Sequence, residues 1–473
     1  MADQQIRFGT DGWRGVISDN FTFKNVARVA QAIADFYSRG QVTPAFGRQG
    51  DREQKLQIAV GYDTRFLSEK YAAIVSRVLA DNGIAVQLSD RAIPTPALSF
   101  AVNRGGMTAG VMITASHNPS EYNGIKIKTA SGGAAGTDVT KEVENLIDNP
   151  PEKKPSQAAE IIKVDMTKGY VKFLRSYIDI KKLKSARFKV LVDVMHGSGN
   201  GFIAEVLKGS KIKLELLRHD VNPSFEGLRP EPVIENLGPT LKRLKEQKFD
   251  VALVLDGDAD RIAAFSGDGE YIYPQKVLGL LALHLVEDRK MSGGLVKTIV
   301  GSNIMDNLAK EFKRELFETP VGFKYISELM LTKDILVGGE EAGGMGFKNY
   351  IPERDGSLAG LLLLEMMVDR KKPMLKIMQE MEKKYGRFYY LREDTKLSEG
   401  FKLDENKLRA IKELDGKKVV EIKDYDGIKL VCEDGSWLMF RASGTEPLMR
   451  VYAESKSLAK TKRLLSQGKG LLG

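Results

Sequence analysis

The chain has 473 residues, about three times the usual domain length of roughly 150, which predicts three or four domains instead of one core. Hydrophobic residues make up 42% and charged residues 29%, a balance that excludes a disordered chain. One cysteine, Cys432, excludes an intramolecular disulfide framework and a cysteine-based zinc site, and with 4 histidines a His-rich centre is not expected either. The net charge of +9 points to anionic partners, but the basic residues are spread along the chain. The expectation is a phosphorylated small molecule and no nucleic acid.

Residues 1–10 show no charged segment leading into an apolar core, so no secretory signal is expected. The first loop with chemical content is FGTDGWRG at 8–15, which places Arg14 between glycines. A β-branched run at 57–61 then leads into a loop at 62–65, and an apolar run at 110–113 leads into TASHNP at 114–119. Ser116 in that second loop has no Gly-x-Ser-x-Gly context, so a hydrolase elbow does not fit. His117, its neighbour, is not expected to act as a triad base, because adjacent side chains tend to diverge. Lys126 follows in YNGIKI and suits an anion. The Pro- and Lys-rich stretch DNPPEKKPS at 148–156 reads as a linker.

Beyond the linker, runs at 188–194, 250–255, 296–300 and 334–337 are each followed by a Gly- or Asp-rich loop. Strands alternating with helical patterns predict parallel sheets covered by helices on both faces, and ligands then bind beyond the carboxyl ends of the strands. DGDADR at 256–261 sets Asp256, Asp258 and Asp260 at alternate positions. Carboxylates packed so closely repel one another without a counterion, and oxygen ligands suit Mg²⁺ or Ca²⁺. An EF-hand does not fit, since the loop follows a strand and has Arg261 where that motif needs glycine.

The segment TPVGFK at 319–324 carries Lys324 after a turn, and GGEEAGG at 338–344 presents Glu340 as an acceptor suited to sugar hydroxyls. Apolar stretches at 277–286 and 358–364 predict buried helices, too short for the ~18 residues that cross a bilayer. A cytoplasmic protein with no membrane partner is expected. Past 373 the pattern becomes α+β and ends in a charged helix near 456–466. Within this last part RASGTEP at 441–447 joins the Arg441 guanidinium to two hydroxyls in a turn, a suitable nest for phosphate.

Taken together and in this order, these loops resemble those of the α-D-phosphohexomutase superfamily, the phosphoglucomutases and phosphomannomutases. The resemblance runs from Phe8 to Arg450. It implies three similar α/β domains with mixed, mostly parallel sheets plus a smaller α+β C-terminal domain around a central cleft. The composition breaks place these at 1–153 (phosphoserine loop), 154–266 (metal loop), 267–372 (sugar loop) and 373–473 (phosphate loop). By resemblance, Ser116 is the phosphorylated serine, and Asp256, Asp258 and Asp260 hold one Mg²⁺ together with the Ser116 phosphate. Arg14, His117 and Lys126 are basic residues of the catalytic centre, and Arg261 contacts the phosphoserine. Glu340 reads sugar hydroxyls, Lys324 contacts substrate, and Arg441, Ser443, Gly444 and Thr445 grip the distal phosphate.

The implied reaction interconverts glucose 1-phosphate and glucose 6-phosphate through a bound hexose 1,6-bisphosphate, which also serves as activator. Two features bear on the sugar. Many members of this superfamily carry Ser and then His where this chain has Ala342 and Gly344. The Gly322-Phe323-Lys324 segment has the form of glucose-specific mutases. A phosphomannomutase or dual-specificity enzyme is the nearest alternative, and a non-catalytic phosphosugar-binding protein is the alternative of another class.

Overall fold

Residues 6–9, 11–39, 56–151, 157–396, 403–442 and 448–472 are described in the computed structural model of the chain. Four sheets follow one another along it. The first is built from β1 (Trp13–Val16), β2 (Gln57–Tyr62), β3 (Ala85–Ser89), β4 (Ala109–Ile113), β5 (Tyr122–Thr129) and β6 (Ile161–Val164), in the order β1-β5-β4-β2-β3-β6. The second holds β7 (Lys189–Asp193), β8 (Lys213–Leu217), β9 (Val251–Leu255), β10 (Ile262–Ser266) and β11 (Tyr271–Ile272), in the order β11-β10-β9-β7-β8. The third, β13-β12-β14-β15, holds β12 (Gly294–Thr298), β13 (Leu316–Thr319), β14 (Ile335–Gly339) and β15 (Met345–Phe347).

One plan is used three times. The runs β3-β2-β4-β5, β8-β7-β9-β10 and β13-β12-β14-β15 each place three parallel strands beside one antiparallel strand. The chemically rich loops of the sequence are the connections of the antiparallel pairs β4–β5, β9–β10 and β14–β15. They therefore lie at equivalent corners, past the carboxyl ends of β4, β9 and β14. Those three strands are buried along their whole length, as continuous apolar runs require in a sheet covered on both faces.

The three units share packing. A single apolar core runs from Ala97 and Leu98 in the helix Thr95–Gly105, through Leu253 and Ile262, to Leu361 and Met378. The helix Gly356–Arg370 lies at its centre, buried from Gly356 to Met367, and Asp355 caps its start by accepting the Leu358 N–H at 2.8 Å. Two strands lie beyond the breaks read from composition. Ile161–Val164, placed past the linker in the second domain, pairs with β3 in the first sheet, and Tyr271–Ile272 continues the second sheet beyond residue 266. Composition marks loops, whereas sheet membership is fixed by pairing.

The last sheet, β16 (Tyr389–Lys396), β17 (Glu413–Leu414), β18 (Lys417–Lys423), β19 (Ile428–Cys432), β20 (Trp437–Ala442) and β21 (Leu448–Ser455), is antiparallel throughout and backed by the helix Leu458–Leu472. It is joined to the third unit by buried polar contacts. Lys429 Nζ donates to the Ile299 carbonyl at 2.6 Å, and a Glu454 carboxylate oxygen accepts the Asn303 N–H at 2.9 Å. Trp437, Met439 and Tyr452 complete the seam against Ile299 and Val300. No helix among the described residues is long and apolar enough to cross a membrane.

Candidate functional site

The turn after β4 is built by hydrogen bonds that present its serine to the neighbouring unit. The Ser116 N–H donates to Thr114 Oγ1 at 2.8 Å, and the Thr114 hydroxyl donates to Asp63 Oδ2 at 2.6 Å. Arg65 then clamps the loop from outside, its guanidinium donating to the carbonyls of Ser116, Asn118, Pro119 and Tyr122 at 2.5–3.0 Å. So bound, Ser116 adopts φ of 53°, a left-handed value that a non-glycine residue holds only at a cost of about 1–3 kcal/mol. The bend brings adjacent side chains together: His117 Nδ1 lies 3.4 Å from Ser116 Oγ, contrary to the expected divergence. Arg14 Nη1 donates to Asn118 Oδ1 at 2.6 Å on the other flank.

Across the boundary between the first two sheets, Ser116 Oγ donates to Asp256 Oδ2 at 3.1 Å. Asp256, Asp258 and Asp260 are fully buried, with one oxygen from each within 4.8 Å of the others. Left-handed Ala259 (φ 56°) turns the loop tightly enough to converge them, and the Arg261 N–H donates to Asp256 Oδ1 at 3.0 Å. Lys126 Nζ reaches Asp258 at 2.8 Å, Asp11 at 3.0 Å and Asp260 at 3.2 Å. The Thr95 hydroxyl donates to Asp258 at 2.6 Å. Arg354 pairs with Asp260 at 2.7 Å and Asp11 at 2.6 Å.

The second oxygens of Asp258 and Asp260 are buried without any hydrogen-bond donor. Burial, followed by repulsion from Asp260 and Asp258, raises the Asp256 pKa well above the carboxylate range. Buried carboxylate oxygens without donors, converging within one turn, fit a hard divalent cation. The other candidate group of metal ligands among the described residues, His284, Glu365 and Asp369, differs in kind. There Arg289 donates to both Glu365 oxygens at 2.6 and 2.7 Å and Lys182 holds Asp369 at 2.6 Å, so protein cations already neutralise it.

The basic groups differ in what they can do. Burial opposes the charge on Lys126, but Asp11, Asp258 and Asp260 outweigh it and lift its pKa, so the ammonium stays charged. Burial, then Arg261, Arg14, Lys126 and Arg65, hold His117 well below the ordinary imidazole value. His117 is therefore a neutral imidazole that does not screen charge, and only an anion such as a phosphoryl group beside it would restore its basicity.

Other predicted site residues lie differently. Arg261 approaches Asp260 at 3.7 Å and Asp256 at 3.9 Å, which places it beside the carboxylates. Glu340 Oε2 accepts from Arg354 Nη1 at 3.2 Å, so one oxygen of the carboxylate expected to read sugar hydroxyls is already engaged. Lys324 stands over the Tyr325 ring, 5.1 Å from its centre, in the first turn of the helix Phe323–Thr332 and makes no ion pair with the carboxylate cluster. Ser443, Gly444 and Thr445 lie outside the described residues. Arg441, at the end of β20, is oriented by Asp426, whose two oxygens accept from its Nε at 3.0 Å. Asp426 also accepts the Val321 N–H at 2.7 Å, which ties this arginine to the third unit. Arg441→Ala is expected to raise KM for a hexose monophosphate about 10–100-fold while Ser116 is still phosphorylated, read by initial rates and intact mass.

Asp11, Asp63, Arg65, Thr95 and Arg354 were not singled out from sequence. The only signal available was position, since Asp63 and Arg65 sit past the end of β2 and Asp11 lies in the same loop as Arg14.

Comparison with known proteins adds to this geometry. The chain matches the four domain profiles described as phosphoglucomutase/phosphomannomutase: alpha/beta/alpha domain I at residues 5–154, domain II at 168–269, domain III at 273–385 and the C-terminal domain at 398–467. A phosphoglucomutase/phosphomannomutase of Thermococcus kodakarensis is 31% identical over 98% of both chains. A phosphoglucosamine/phosphogalactosamine mutase of Sulfurisphaera tokodaii is 28% identical, again over 98% of each. Among solved structures, a protein assigned as a phosphomannomutase in Thermus thermophilus superposes with a TM-score of 0.86 at 34% identity, over 99% of both chains.

Proposed function

Because the chain belongs to the phosphoglucomutase/phosphomannomutase family of intramolecular phosphotransferases, we propose that it interconverts glucose 1-phosphate and glucose 6-phosphate through phosphorylated Ser116. The observation that carries this reading is the 3.1 Å hydrogen bond from buried Ser116 Oγ to Asp256, which sets a hydroxyl from the first unit on a carboxylate cluster of the second. Asp256, Asp258 and Asp260, together with Ser116, would hold Mg²⁺, which supplies neutralising charge to a transferring phosphoryl group.

In the first transfer the Ser116 Oγ–P bond breaks and a bond from phosphorus to the free sugar hydroxyl forms. The hydroxyl proton passes to the neutral imidazole of His117. The resulting bisphosphate turns end for end, and its other phosphoryl group returns to Ser116 Oγ while the released sugar oxygen recovers the proton. Phosphoryl transfer asks little covalent work of the protein, so positioning and charge dominate. Lys126, held charged by three carboxylates, and Arg14, hydrogen-bonded to Asn118, screen the phosphoryl oxygens. Arg441 grips the non-reacting phosphate whichever sugar end it occupies.

Ala342 and Gly344 bring neither hydroxyl nor imidazole to the sugar loop, so those contacts are lost or supplied elsewhere, and a phosphomannomutase or dual glucose/mannose mutase is the second reading. A panel of glucose, mannose and glucosamine 1-phosphates, assayed with Mg²⁺ and glucose 1,6-bisphosphate, separates these readings. The expected outcome is kcat/KM highest for glucose 1-phosphate, with one phosphate per chain by intact mass. A preference for mannose 1-phosphate moves the assignment to the second reading. A chain that never carries phosphate and turns over no sugar is a binding protein.

A further inference from the structure

Arg354 occupies an unusual place. It follows the sugar loop in sequence and is 3% exposed, yet its guanidinium touches three other segments. Nη2 pairs with Asp260 of the metal loop and with Asp11 of the N-terminal loop, and Nη1 donates to Glu340 of the sugar loop. Its face lies against Phe323, the residue before Lys324, with the ring centre 5.5 Å away. The flanking residues fix the backbone. Glu353 forms a buried ion pair with Lys128 from the first sheet. Asp355 accepts from the Tyr170 hydroxyl at 2.9 Å and the Tyr350 hydroxyl at 2.8 Å while capping its helix. A guanidinium fork anchored in this way has one available orientation.

The stem of the same side chain explains a gap in the sugar loop. A Cβ built on Gly344 would lie 2.2 Å from Arg354 Cδ and 2.8 Å from its Cγ. The arginine from ten residues downstream fills the volume that a side chain at 344 would need.

We propose that Arg354 is a positioning and specificity residue of the phosphotransfer centre: it replaces a side chain at 344 and locks Glu340 to the metal loop, so that one carboxylate oxygen, Oε1, is left to read a sugar hydroxyl in a fixed orientation. The assignment of Glu340 to the sugar rests on the mutase reading above. Exchange of volume between 344 and 354 does not, because it is a packing statement. With Oε2 held by Arg354, the carboxylate cannot swing to follow an epimer, and discrimination between hexose phosphates that differ at one hydroxyl is built into this ion pair.

Two measurements on the full-length protein test it. The first is a thermal-unfolding cycle of Gly344→Ala, Arg354→Ala and the double variant. Gly344→Ala alone is expected to lower Tm by about 4 °C or more, and in the Arg354→Ala background by no more than ~1 °C, since the colliding stem is gone. The second is the ratio of kcat/KM for glucose 1-phosphate to that for mannose 1-phosphate. It is expected to move by about tenfold or more in both Arg354→Ala and Arg354→Lys, because lysine lacks the planar fork that sets Nη2 on Asp260 and Nη1 on Glu340. General loosening of the fold lowers both rates alike and leaves the ratio where it was.

If the wild-type enzyme turns over hexose phosphates but the Tm losses add, or the ratio stays within twofold (~2×) of wild type, the Arg354 assignment is overturned and the mutase reading stands. If the wild-type protein turns over no sugar phosphate, the mutase reading falls and takes the sugar-reading role of Glu340 with it. The unfolding cycle still decides whether Arg354 fills the place of a side chain at 344.

Discussion

Ser116→Ala is expected to yield a folded protein that carries no phosphate and interconverts hexose phosphates at least about 10⁴-fold more slowly, a barrier higher by ~5 kcal/mol. The loss follows from the proposed mechanism, in which Ser116 Oγ is both the atom that gives the phosphoryl group and the atom that takes it back. Among the described residues no other hydroxyl is placed to substitute. Thr95 also touches the carboxylate cluster, but its hydroxyl is committed to Asp258 at 2.6 Å and its N–H to the Asp258 carbonyl at 3.0 Å. Folding should survive. The strain at φ 53° is common to serine and alanine, so the added cost is the lost hydroxyl hydrogen bond, about 1 kcal/mol. Thr114, Asp63 and Arg65 hold the turn through backbone groups that the substitution leaves in place. Intact mass after incubation with glucose 1,6-bisphosphate, together with a coupled rate assay, checks this. Phosphate on the variant, or turnover near that of wild type, moves the nucleophile to another residue.

The sequence made the strands and their loops legible because burial on both faces leaves a plain mark. AGVMI, VALVL and ILVGG are continuous apolar runs, and each ends where a polar loop begins. The threefold plan was visible only as alternation. Its evidence is strand order and pairing direction, and neither requires similar residues at equivalent positions. The same limit explains the site. Ser116 and the aspartates stand in dense local motifs, whereas Asp11 and Arg354 are separated by more than three hundred residues and each is unremarkable alone; their 2.6 Å contact exists only in three dimensions. The expected divergence of Ser116 and His117 failed for a local reason. It assumed extended backbone, and a turn held at positive φ by Thr114 and Arg65 points both side chains to one side.

Charge at the carboxylate cluster leads to the second large effect. Asp258→Asn is expected to reduce kcat/KM by about 10³-fold or more, with no recovery at high Mg²⁺, while Tm falls only a few degrees. Burial drives the Asp258 pKa up, but the charge and hydrogen bond of Lys126, aided by Thr95 and Arg354, hold it below the ordinary carboxylate range, so the wild-type group is ionised. Asparagine keeps the shape and one acceptor for the Thr95 hydroxyl. Lys126 retains Asp11 at 3.0 Å and Asp260 at 3.2 Å, so the full ~3–5 kcal/mol penalty of a buried, abandoned cation does not arise. What disappears is one unit of negative charge, and the donor-free Asp258 oxygen is exchanged for an amide or paired with one. Titration calorimetry should show Mg²⁺ binding weakened by about tenfold or more. Unchanged affinity and unchanged rate together would place the metal somewhere other than residues 256–260. Because Ser116 Oγ bonds Asp256 and not Asp258, the variant leaves the nucleophile where it was. A loss in this variant therefore reports on the charge and the oxygen at 258, not on a displaced nucleophile.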